Sequence, residues 1–76
     1  MTPVTIYVSL LDEGTDVWRP VTAVPEAAGV YRITAENPDP ANERWQFATG
    51  TRVRCARRRL NGEEVLVAVD QVDPDP

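Results

Sequence analysis

Seventy-six residues make one domain near the lower end of independent folding, with little room for a deep internal substrate pocket. Twelve acidic against eight basic residues leave a formal charge of −4, which opposes non-specific phosphate binding. Histidine is absent and cysteine occurs once, which excludes an internal disulfide, a multi-thiolate metal site within one chain and the commonest general base.

The chain opens with Val4, Ile6, Val8 and Leu10 alternating with Thr5, Tyr7, Ser9 and Leu11. Period-two alternation rich in β-branched residues predicts a strand with one buried face. Asp12, Glu13 and Gly14 form the next turn, with Gly14 expected to take a positive φ. A second strand is expected over residues 16–24. Pro20 places it at an edge, bulge or bend, because proline cannot donate to a ladder. Residues 25–29 make a connection before a short third strand from Val30 to Thr34.

Residues 36–43 contain Asn37-Pro38-Asp39-Pro40 and cannot continue a strand. This is the longest loop and the one expected to be mobile. Trp45, Gln46 and Phe47 resume extended structure, Gly50 breaks it, and a fourth main strand follows over residues 51–59. Asn61-Gly62 marks a hairpin leading into a last strand over residues 63–72.

Two registers compete for that hairpin. A two-residue loop pairs Arg54, Ala56 and Arg58 with Val69, Val67 and Val65, mixing arginines and valines on one face. A three-residue loop, Leu60-Asn61-Gly62, sets Val53, Cys55 and Arg57 opposite Val69, Val67 and Val65. It also pairs Arg52 with Asp70 and Arg58 with Glu64, so one face is apolar and the other carries opposite charges. The second register is the expectation.

The stretch Leu10-Leu11-Asp12-Glu13-Gly14-Thr15-Asp16-Val17-Trp18-Arg19-Pro20-Val21 is distinctive. So are Trp45-Gln46-Phe47-Ala48-Thr49-Gly50-Thr51-Arg52-Val53-Arg54-Cys55 and the closing Leu66-Val67-Ala68. Together they resemble a group of small bacterial proteins with an SH3-like barrel. No activity is assigned to that group, so the resemblance implies a fold and carries over no functional residue.

Candidate chemistry is sparse. Cys55 lies mid-strand on the expected apolar face with no His to deprotonate it, so it reads as a small hydrophobe. Asp12, Glu13 and Asp16 lack EF-hand spacing and supply too few oxygens for firm Ca²⁺ binding, so they read as turn residues. Trp18 and Trp45 are expected in the core, because a small domain needs its large apolar side chains inside. Tyr7 and Leu11 point away from the buried face of the first strand, and with Arg19 they form the expected partner-binding patch. Arg52, Arg54, Arg57, Arg58 and Arg59 are the candidate nucleic-acid residues, with the aromatics as stacking platforms.

The sequence therefore predicts an all-β, five-stranded antiparallel SH3-like barrel of meander order, with an open sandwich or OB-like barrel as runner-up. Residues 1–72 are the single domain, and residues 73–76 an acidic, proline-containing disordered tail. The expected function is a non-catalytic protein-interaction module or self-associating unit. Nucleic-acid binding is the alternative. No enzymatic activity, cofactor, metal or membrane span is expected, and a reducing cytoplasm is the expected compartment.

Overall fold

Burial alternates along Val4–Leu11 (β1) as the sequence pattern predicts: Ile6, Val8 and Leu10 are buried, while Tyr7 and Ser9 are half-exposed. The computed structural model describes residues 2–72, so the expected tail at 73–76 lies outside the described residues. After β1 come Trp18–Ala27 (β2), Val30–Ile33 (β3), Arg44–Trp45 (β4), Arg52–Leu60 (β5) and Glu63–Gln71 (β6). No helix occurs among the described residues. The chain is all-β, with six strands rather than five, the additional one being the two-residue β4.

The strands form one sheet in the order β2-β3-β5-β6-β1-β4, and a further β2–β1 pairing closes five of them into a ring. Around the ring β1, β2, β3, β5 and β6 follow one another in chain order, each antiparallel to the last. Five strands alternating in direction leave the first and last pointing the same way. The closing contact is therefore parallel, a single bridge of Tyr7 to Val67. The wholly antiparallel expectation is corrected at this seam by the odd strand count.

Inside the ring Ile6, Val8, Val21, Ala23, Ile33, Val53, Phe47 and Ala68 make one apolar cluster, with Val4, Tyr31, Trp45, Cys55 and Leu66 packed against it. Fully burying one such Val, Ile or Leu side chain stabilises by roughly 1.5–3 kcal/mol. Pro20 sits opposite Tyr7 in the half of β2 where β1 is its only strand partner, and Pro25 in the half served by β3. Each proline thus lies where one edge of the strand is unpaired, as its missing N–H requires.

Two local expectations are corrected. Left-handed backbone in the first turn belongs to Asp12 (φ 64°), not Gly14, and the Asp12 carboxylate accepts a 2.9 Å hydrogen bond from Arg44. The loop at 36–43 is tied down internally: the Asp39 amide donates to Asn37 Oδ1, the Glu43 amide to the Asp39 carbonyl, and Asn37 Nδ2 to the Glu43 carbonyl.

The other correction is the last hairpin. Its loop has two residues, Asn61 (φ 51°) and Gly62 (φ 83°), so Leu60 faces Glu63, Arg58 faces Val65 and Ala56 faces Val67. This is the type I′ geometry that Asn-Gly favours. A bulge then intervenes: Cys55 faces Ala68, but Arg54 faces Asp70. The additional residue, Val69, resets the faces partway along the strand. The two-residue loop sets Ala68 and Leu66 opposite Cys55 and Arg57 on the core side, while Val67 is buried on the opposite face, against Ala56 and Tyr7.

Candidate functional site

Because Ile6 and Val8 occupy the core face of β1, Tyr7 and Ser9 project from the other side. Tyr7 faces Pro20 and Ser9 faces Trp18 across the β1–β2 pair, so Trp18 shares that outer side. The expectation of Trp18 in the core is thereby corrected: it is half-buried and outside the core cluster. Trp45 does pack against the core.

Tyr7, Val17 and Trp18 line one side of a groove of about 440 Å³, and Leu60 and Val65 from the β5–β6 hairpin line the other. Asp16 and Glu63 add a carboxylate to each side, with Arg59 and Asn61 at the hairpin tip. Neither carboxylate has an ion-pair partner among the described residues, and Arg59 donates to the Gly62 carbonyl at 3.3 Å. The groove thus combines two aromatic rings, three aliphatic side chains, two carboxylates without an ion-pair partner among the described residues and one arginine.

A second depression, of about 340 Å³, lies beside β4. Its polar groups are already engaged. Glu43 holds Arg19 and the Trp45 indole, Arg44 holds Asp12, and Thr49 donates to the Ala35 carbonyl. These contacts give it a structural role.

Tyr7, Leu11 and Arg19 do not meet as one patch. Arg19 faces Val8 and therefore stands on the opposite side of the sheet from Tyr7, where its guanidinium is bonded to Glu43. Leu11, 39% exposed, faces Arg44 of β4. Of the three, Tyr7 alone lines the groove.

The arginines of β5 are divided between two faces and mostly neutralised. Arg54 pairs with Asp70 at 3.3 Å and Arg57 with Glu64 at 3.7 Å, in place of the expected Arg52–Asp70 and Arg58–Glu64 pairs. Arg52 and its cross-strand neighbour Arg32 share Glu26, each at 2.9 Å, from the bulge of β2. The Arg52 Nε–H is not aimed at that carboxylate and makes no hydrogen bond, so this contact is Coulombic only. Arg58 and Arg59 lack a carboxylate partner among the described residues, but successive strand residues point to opposite faces.

Cys55 is half-buried beside the core, and desolvation pushes its thiol up to about 11, the reverse of what a nucleophile needs. Among the described residues no group of three or more His, Cys, Asp or Glu could hold a metal ion, and no helix is long and apolar enough to cross a membrane.

The signal for the groove was present in the sequence as Trp18 and Val65, but only the β1–β2 and β5–β6 registers reveal that both face away from the core. In comparisons with known proteins, no family model, curated protein or solved structure matches the chain.

Proposed function

We propose that this chain is a non-catalytic interaction module that binds a segment of another protein in the groove between Tyr7, Trp18 and the β5–β6 hairpin, on an SH3-like ring of strands. The observation that carries the reading is Trp18. A domain this small gains most by placing a tryptophan inside, yet this one stands on the outer side beside Tyr7 and Val65. Aromatic residues set among aliphatic ones and rimmed by charge are the composition of binding hot spots. A reducing cytoplasm is the compartment that goes with this reading.

The test is selection of random displayed peptides on the intact chain, with counter-selection on a Tyr7→Ala/Trp18→Ala variant whose strand content is checked by circular dichroism. A shared motif retained by the wild type and lost on the variant supports the reading. Absence of any enriched motif, or equal retention on both, overturns it.

A further inference from the structure

We propose that the groove takes an extended peptide bearing Arg or Lys, which adds as a new strand along the open edge of β6. The inference rests on the groove being the interaction site, and it names the chemistry of the occupant.

The edge comes first. β5 pairs with β6 from Glu63 to Gln71, whereas β1 meets the other edge only at Val67. The rest of that edge has no strand partner among the described residues. An unpaired edge presents a row of backbone donors and acceptors, the template used in strand addition. Pro and Lys, which commonly blunt such edges, are absent from β6, and its bulge at Val69 lies at the far end of the strand from Glu63 and Val65.

Glu63 and Val65 of this strand contribute to the groove's lining, together with Tyr7, whose bridge to Val67 is where β1 meets that edge. Glu63 and Val65 are two apart, so they present side chains to the same face. A strand laid alongside would send every second side chain into the groove in the same rhythm. Its backbone would supply affinity and its alternate side chains specificity.

Charge then selects the occupant. Asp12, Glu26, Glu43, Glu64 and Asp70 are each paired with arginine; of the described carboxylates without such a partner, Glu13, Asp16, Glu36, Asp39 and Glu63, only Asp16 and Glu63 line the groove. A guanidinium or ammonium group entering between them would meet two free carboxylates and the aromatic faces of Tyr7 and Trp18. Arg59 offsets part of this field, although its guanidinium is turned to the Gly62 carbonyl. An acidic segment would be repelled. A second copy pairing antiparallel along the same edge would bring the acidic ends of β6, at Glu63, Glu64 and Asp70, against each other.

The experiment measures fluorescence anisotropy of a labelled peptide alternating Arg and Val. Its controls are the Glu-for-Arg counterpart and a form N-methylated on alternate backbone nitrogens. The Arg–Val peptide is expected to bind roughly ten-fold more tightly than either control. It should weaken roughly ten-fold in Asp16→Asn/Glu63→Gln, and further with added salt. Equal binding of the Arg and Glu peptides, both lost in Trp18→Ala, overturns the cationic preference while the groove remains the interaction site. Undiminished binding of the N-methylated form overturns strand addition. No binding by the Arg–Val peptide overturns the proposal, and the display selection then decides the interaction reading on its own. A concentration-dependent dimer that excludes the peptide assigns the edge to a second copy and overturns it too.

Discussion

Arg19 presents two of its guanidinium nitrogens, Nε and one terminal nitrogen, to the carboxylate of Glu43, which also accepts from the Trp45 indole at 3.3 Å. The pair fastens the loop before β4 to the start of β2, across 24 residues of sequence. The Glu43 side chain is only 20% exposed, so removing Arg19 strands a carboxylate largely shielded from water. Arg19→Ala is expected to destabilise by about 1–2 kcal/mol, and the double-mutant cycle with Glu43→Gln to show coupling of about 1 kcal/mol. Urea denaturation checks both values, and a coupling near zero would show the pair to be incidental.

The two-residue turn needs positive φ at both Asn61 and Gly62. Nothing lies within 4 Å of a Cβ placed on Gly62, so the penalty there is backbone strain rather than collision. Gly62→Ala is expected to cost about 1–2 kcal/mol. Asn61→Gly should be close to neutral, since glycine adopts that conformation freely. Equal losses at the two positions would contradict this account of the turn.

Val67 is 1% exposed although it belongs to the face opposite the core. Val67→Ala is therefore expected to cost about 1–2 kcal/mol, far more than at an ordinary outward-facing strand position. Because Val67 meets Tyr7 at the only bridge between β1 and β6, the same substitution should also loosen the seam. Faster hydrogen exchange at the Tyr7 and Ala68 amides would report it.

Cys55 links stability to alkaline pH. Its thiol ionises near 9.0 when unfolded and at about 11 when folded. Between those values the unfolded chain loses the proton while the folded chain keeps it. The contribution to stability is whole below pH 9 and declines as pH rises toward 11. Denaturation of the wild type and Cys55→Ala on either side of pH 9 isolates the effect, because the variant lacks it. Iodoacetamide should alkylate Cys55 slowly at neutral pH until denaturant is added. Rapid labelling of the folded chain would contradict its desolvation.

Oligonucleotide binding is expected to be weak. Arg52, Arg54 and Arg57 are paired with carboxylates, and the β5 arginines divide between two faces. Single-stranded DNA or RNA should elute from the protein at low salt. Salt-dependent retention lost in Arg58→Ala/Arg59→Ala would restore the alternative.

Much of the strand layout was legible from residue order. Alternation in Val4–Leu11 gave the core face of β1 correctly, and Asn61-Gly62 marked the hairpin. What misled was the assumption of one unbroken register between β5 and β6. With no bulge, the two-residue loop opposes Arg54 to Val69 and mixes charge with apolar side chains, so the three-residue loop looked better. Inserting Val69 as the additional residue moves Arg54 opposite Asp70, although Arg58 still faces Val65, and no local signal distinguishes a valine in a bulge from one in a ladder. Trp18 was misplaced for a related reason: which side it takes depends on Ser9 across the β1–β2 pair, a partner that composition cannot reveal.

The parallel seam has a geometric consequence for anything attached to the chain. Since β1 and β6 run in the same direction where they meet, the start of one and the finish of the other lie at opposite poles of the ring. A linker joining the two would have to traverse the length of β1, roughly 25 Å. Circular permutants with short linkers should fold poorly, and domains inserted directly before β1 and directly after β6 would sit at opposite ends of the ring.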